Sequence, residues 1–357
     1  MKSETTNNEH LVDVISKLLV LVKVLLFAIL VLLIIIFNED RIKSAFSGSD
    51  DHKMDQSIPQ LTAQAPAENS GLSKYWKAPE ISAIIDAQKR SEIEYGRDLI
   101  VNTSTFLGPH GSVAQITNGM NCQNCHLDAG TRPFGNNYGS VASTYPKFRA
   151  RSGTIENIDK RVNDCFERSL NGKALDTASR EMTAIKAYIN FLGSNVEKGA
   201  VAEGSGLKKI EFMDRAADPE KGKKVYELNC QSCHKANGEG SLAQDNKEYI
   251  YPPLWGPKSY NDGAGLYRII NFAGFVKSNM PLGATHENTL LMDEEAWDVA
   301  AYVNSQKRPH KKTTGDWPDV SKKPIDYPFG PYSDKFTEAQ HKYGPFKPIE
   351  EARKKAI

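Results

Sequence analysis

The feature that most restricts this chain is a pair of near-identical hexapeptides, NCQNCH at 121–126 and NCQSCH at 229–234. Each contains C-x-x-C-H, the attachment signature of a c-type haem. Two thiols on one turn of chain add across the two haem vinyl groups, and the histidine that follows reaches the iron as proximal axial ligand. A CxxC pair also serves as a dithiol redox couple or as half of a zinc site. Two copies with the histidine in the same place, in a chain of only five cysteines, favour haem. The expectation is two covalently attached haem c groups with iron. Cys122, Cys125 and His126 hold one; Cys230, Cys233 and His234 hold the other.

The motifs sit in an internal repeat of helix, CxxCH, loops and closing helix. In the first unit, Ile81, Ile84 and Ile85 predict a helix over 81–102. Met182, Ile185, Tyr188, Ile189 and Leu192 form one face of a closing helix over 178–193, with Gly193 as its stop. In the second unit, Asp218 and Pro219 read as cap and first-turn proline, and 293–306 as the closing helix. AYIN (187–190) and AYVN (301–304) occupy matching positions. A first helix packed on a last one, with haem in the crevice, is the cytochrome c plan. The expected fold class is therefore all-α, with two tandem cytochrome c domains at 79–200 and 201–307 and a linker near 194–215. A length of 357 residues agrees with two or three domains of about 150 residues each.

Outside the repeat, residues 18–37 are apolar except for Lys23, enough for a transmembrane helix. A cleaved signal peptide is the alternative, but polar NEDRIK follows the span and argues for an uncleaved anchor behind a cytoplasmic segment at 1–17. Positive charge is nearly balanced on the two sides of the span. Haem attachment occurs on the outer side of the bacterial inner membrane, so a single-pass inner-membrane protein with a periplasmic soluble part is expected. Residues 38–78 are polar and lack an apolar period, which predicts a flexible tether. Residues 308–357 carry Trp317, Tyr327, Phe329, Tyr332, Phe336, Tyr343 and Phe346, too many aromatics for a solvated tail; an extended C-terminal strap is expected, with little helical period before EEARKKAI. His310 and His341 read as hydrogen-bonded structural residues. The net charge of +1 offers no basic field for nucleic acid.

Each haem wants a sixth ligand from the loop before its closing helix. In the second unit Met280, followed by proline, suits that role, with Lys277 as a rival amine. Met292 reads as core packing. The first unit has no Met-Pro loop; Met120 abuts the motif and Met182 lies inside the closing helix. The residue in the right interval is Cys165, flanked by Arg161 and Arg168. A buried inert cysteine or an intermolecular disulfide is the plainer reading. An oxidising compartment, the interval and cationic neighbours favour a haem ligand.

The segment YPKFRARSGTIENIDKRVNDCFERSLNG (145–172), with QKRPHK (306–311) and KPIDYPFGPYSDKFTEAQHKYGPFKPI (323–349), resembles the thiosulfate dehydrogenases, dihaem cytochromes c that join two thiosulfates into tetrathionate. The resemblance covers roughly residues 80–350. It implies that Cys165 is both distal ligand and catalytic thiolate, that Arg151 and Arg161 bind the anionic substrate, and that Lys277 or Met280 ligates the second haem. The implied partners are thiosulfate or tetrathionate and a periplasmic or membrane electron acceptor, either a cytochrome or a terminal oxidase. A basic run of Lys147, Arg149, Arg151, Lys160, Arg161 and Arg168 suits a dianion, although about half of such a run is ordinarily solvated surface. The reverse reaction, tetrathionate reduction, uses the same residues. A tethered dihaem electron carrier without catalytic function is the competing class, and a dihaem sulfur-oxidation cytochrome acting on carrier-bound substrates is a third.

Overall fold

The computed structural model describes residues 74–244 and 247–355, together with 17–18, 21–23 and 25–26. The anchor expected over 18–37 and most of the tether expected over 38–78 lie outside the described residues. Among the described residues no helix is long and apolar enough to cross a membrane. Contacts divide the chain after residue 70, and both CxxCH motifs lie in the unit that follows.

Helix α1 (Ala87–Val101) opens the first domain. It starts six residues later than the isoleucine spacing predicts, because the Asp86 carboxylate accepts from the backbone amides of Gln88 and Lys89 and so supplies the cap. Ile81–Ala83 instead forms a 3-10 turn, and Ile85 is exposed. The buried face of α1 is Ile93, Gly96, Leu99 and Ile100. Helix α2 (Ile158–Arg168) begins where the Asn157 side chain accepts from the Lys160 amide. It carries Cys165, for which a loop was expected. Helix α3 (Arg180–Leu192) closes the domain, capped by Ser179; its predicted face from Met182 to Leu192 is buried.

The second domain repeats the plan. Helix α4 (Pro219–Asn229) has Asp218 as cap and Pro219 in its first turn, as predicted. Helix α5 (Ile269–Asn279) ends immediately before Met280, and α6 (Asp293–Ser305) is the closing helix. Met292 precedes α6 and is 68% exposed, so it is not core packing. Its backbone amide donates to Glu295, which places it at the helix boundary rather than on the buried face.

The repeat is tightest where helices cross. A Cβ on Gly96 would lie 2.0 Å from the Ala184 carbonyl oxygen, and one on Gly222 would lie 1.8 Å from that of Asp298. Each glycine also faces a tyrosine Cβ, Tyr188 or Tyr302, from the matched AYIN and AYVN segments. Glycine therefore lets α1 touch α3, and α4 touch α6, backbone to backbone.

Two small antiparallel ladders accompany the helices. Strand β1 (Lys147–Arg149) pairs with β2 (Thr154–Glu156), Phe148 opposite Ile155, just before α2. Strand β3 (Ser241–Leu242) pairs with β4 (Tyr249–Tyr251) behind the second motif. The fold is mostly helical rather than purely so.

The connecting segments are packed. Trp76, at the end assigned to the tether, donates its amide to the Glu203 carbonyl and its indole N–H to Asn195. The interdomain linker lies on the loop after the first motif: Phe134 and Asn136 donate their amides to the Gly204 and Gly206 carbonyls. The C-terminal strap contains two helices, α7 (Glu338–Tyr343) and α8 (Lys347–Lys355), one more than its sequence suggests. Phe346 and Ile349 enter the core of the second domain. His341 is fully buried, bonded to the Ile325 carbonyl and to Asp334, while His310 bonds Asp262. Both histidines fill structural roles.

Candidate active site

The first motif is held by its neighbours before any cofactor is considered. Cys122–Asn124 forms a 3-10 turn, and the Asn121 side chain accepts from the Ser104 amide at 2.8 Å. Thr103 accepts from the Cys122 amide at 3.0 Å. His126 Nδ1 donates to the Asn136 carbonyl at 2.6 Å, which fixes the tautomer and leaves the Nε2 lone pair free. The ring stacks on Tyr138 with centroids 4.5 Å apart. Tyr138 fits there because Gly130 has no side chain; a Cβ would lie 2.1 Å from its ring. Burial lowers the His126 pKa to about 4, so the imidazole stays neutral.

Cys122, Cys125 and His126 line a cavity of about 870 Å³, partly open to solvent. Its opposite wall is α2. Arg161 and Cys165 lie four residues apart, hence on one face of that helix. Both line the cavity, and Arg161 Nη1 donates to Cys165 Sγ at 3.0 Å. The Arg161 pKa is raised, first by the sulfur charge and against the effect of burial.

The rest of the basic run has other partners. Lys160 pairs with Asp164 and Arg149 with Glu156. Lys147 Nζ sits 4.8 Å from the Tyr145 ring centroid, and burial lowers its pKa. Arg168 makes a bidentate pair with Asp316 at 2.8 and 2.9 Å. Arg151, expected beside the substrate, donates to the Gly263 carbonyl at 3.0 Å and lies 4.0 Å from Asp316. Of the six basic residues, only Arg161 lines the cavity.

The second motif follows the same logic. His234 Nδ1 donates to the Pro252 carbonyl at 2.8 Å, leaving Nε2 free, and burial lowers its pKa. Tyr226 donates to the Lys235 carbonyl at 2.6 Å and closes the turn after the histidine. Cys230, Cys233, His234 and Met280 line a cavity of about 1750 Å³. Lys277 does not line it: its ammonium donates to the Leu291 carbonyl at 2.6 Å and pairs with Asp293 at 2.8 Å. Cys125 and Asn121 of the first motif reach the same cavity.

In each case two thiols and a neutral imidazole with a free lone pair converge on a cavity, with a sulfur donor on its far wall or margin. That donor set fits haem c. Sequence reading did not find Asn136 and Pro252, whose carbonyls orient the histidines, or Asp316. A carbonyl acceptor leaves no mark on residue type, and Asp316 lies 148 residues from its partner.

Two such sites in tandem helical domains define a dihaem c-type cytochrome. Residues 112–197 match the SoxA/TsdA cytochrome c domain family and residues 219–307 the cytochrome c family. The chain is 37% identical to a thiosulfate dehydrogenase of Psychrobacter arcticus over 263 residues, covering 72% of this chain and 77% of that one. It is 40% identical to one from Allochromatium vinosum over 206 residues, covering 56% and 74%. A solved structure of the thiosulfate dehydrogenase (TsdBA) from Marichromatium purpuratum, in its as-isolated form, aligns with a TM-score of 0.61 at 30% identity. That alignment covers 66% of this chain and spans half of the solved one. The chain belongs to the thiosulfate dehydrogenase family and is an oxidoreductase with two covalently bound c-type haems.

Proposed function

We propose that the protein oxidises two thiosulfate dianions to one tetrathionate dianion and two electrons, at the cavity that Cys165 and Arg161 share with the first motif. The observation that carries this reading is the 3.0 Å contact between the Arg161 guanidinium and the Cys165 sulfur inside that cavity. A fixed guanidinium beside the sulfur offsets the negative charge that a sulfur nucleophile carries when it reacts. The same guanidinium is a planar donor fork for sulfonate oxygens. A simple electron relay has no need of a cysteine exposed to oxidation in such a pocket.

Haem c, when bound at both motifs, supplies one-electron oxidation. His126 and Cys165 would hold the first iron, and His234 with Met280 the second. Lys277 is the less favoured ligand, being engaged with Leu291 and Asp293. The protein chemistry is then a balanced exchange. The Cys165 thiolate and the outer sulfur of one thiosulfate form a sulfur–sulfur bond as two electrons leave. The outer sulfur of a second thiosulfate attacks the sulfur attached to Cys165, and the thiolate departs as leaving group. Arg161 offsets anionic charge at each stage. Reversing both steps reduces tetrathionate. The polar segment at 38–78 and the apolar run at 18–37 support a periplasmic enzyme on an inner-membrane anchor, passing electrons to a cytochrome or terminal oxidase.

The test is stoichiometry. With ferricyanide as acceptor, the holoprotein should consume two thiosulfates and two ferricyanides per tetrathionate formed. Sulfite or sulfate as the product would contradict the reading.

A further inference from the structure

The C-terminal strap reaches the end of the cysteine helix through Lys311, which pairs with Glu167, and Asp316, which pairs with Arg168. Trp317 donates its amide to the Arg151 carbonyl at 2.7 Å, and the Arg151 guanidinium lies 5.5 Å from its ring centroid. The residue before it, Asp316, is only 11% exposed and takes both Arg168 nitrogens. Arg151 approaches the same carboxylate at 4.0 Å and is itself 14% exposed. One carboxylate therefore stands between two buried guanidiniums. Arg151 also feels the charge of Arg161, which lowers its pKa further, after burial and Arg168. The Nε atoms of Arg151 and Arg168 are buried without hydrogen-bond partners, so Asp316 and the Gly263 carbonyl carry the anchoring of both groups. Two arginines this close repel unless a fixed anion separates them.

We propose that Asp316 is a positioning residue of the thiosulfate site, fixing Arg168 and Arg151 as a cationic wall behind Arg161 and so setting affinity for the dianionic substrate. The proposal rests on the thiosulfate reading. It makes the strap, which follows the second haem-binding domain in sequence, part of the substrate site of the first. It also separates two effects of removing the carboxylate. Added positive charge alone would tighten anion binding. Loss of position would weaken it, because the guanidiniums would splay apart.

The test uses the full-length holoprotein, with Asp316→Asn beside Asp316→Glu. Steady-state turnover with thiosulfate is measured together with thiosulfate binding by calorimetry in the absence of electron acceptor. Asp316→Asn should raise both KM and Kd about tenfold, with kcat within about twofold and both haems attached. Asp316→Glu keeps the charge but shifts it by a methylene, and should raise KM about threefold. If the Asn variant does not yield holoprotein, the Glu variant decides. Unchanged or tighter thiosulfate binding in the folded variant would overturn the proposal, whatever happens to its melting temperature. A wild type that binds thiosulfate without turnover would defeat the catalytic reading alone, and the Kd comparison would still judge Asp316. A wild type that does neither would defeat both.

Discussion

At the scale of single residues, the proposed function concentrates on α2. The helix turns Arg161 and Cys165 to one face, and the cavity puts them opposite the thiols and imidazole of the first motif. Arg161→Ala should lower thiosulfate turnover by about a hundredfold, as expected for losing a preorganised cation at a site of charge transfer. Initial-rate kinetics with the haem content checked by absorption would measure it. Wild-type rates in that variant would remove Arg161 from the mechanism. The place of Cys165 at the first cavity was legible in the sequence because the other four cysteines belong to the two motifs, leaving one thiol in the interval before the closing helix. Arg151 was less legible. Sequence marks it as basic, but its partners, the Gly263 carbonyl and Asp316, come from the second domain and the strap. Met292 misled for a local reason: a methionine beside an apolar helix reads as core, yet it sits at the N-terminal boundary of α6 and faces out.

At the scale of elements, two helix crossings set the frame that holds each motif. The closing-helix face from Met182 to Leu192 could be read directly, since five apolar residues at three- and four-residue steps have one helical arrangement. The start of α1 could not, because isoleucines at 81–85 mimic a helical face while Asp86 sets the boundary. Gly96 and Gly222 were also silent. A helical glycine looks like a weakness until the partner carbonyl is found 2.0 or 1.8 Å from its missing Cβ. Gly96→Ala should therefore destabilise the holoprotein by about 3 kcal/mol, despite the better helix propensity of alanine. Thermal or denaturant unfolding would show it. A neutral or stabilising effect would mean that α1 and α3 are not in contact there.

At the scale of the whole molecule, the two domains meet close to both haem-binding loops. Asn279, beside Met280, donates to the Phe134 carbonyl at 3.0 Å, two residues before the Asn136 carbonyl that orients His126. The His286 ring packs at 4.6 Å from Tyr75 and 5.1 Å from Phe134. Its pKa is lowered, first by burial, then by Lys208 and Lys74 against an opposing Glu287. A histidine with a lowered folded pKa binds its proton more weakly in the native state than in the unfolded chain. Its contribution is therefore intact above the unfolded value of about 6.5, and is lost as pH falls below it. The thermal midpoint should drop between pH 7.5 and 5.5, and the drop should be smaller in His286→Phe. Equal drops in both proteins would exclude His286 as the titrating group. None of this junction was legible in the sequence, because it joins three segments that composition and periodicity treat separately.

In the proposed mechanism the Cys165 sulfur, and not haem alone, performs the sulfur chemistry. Its most direct test is thiosulfate-dependent ferricyanide reduction by the holoprotein and by Cys165→Ala, with tetrathionate measured in both. Turnover in the wild type and a loss of at least about a thousandfold in the variant are expected, with two haems still attached in each. Tetrathionate formation at an undiminished rate by Cys165→Ala would contradict it.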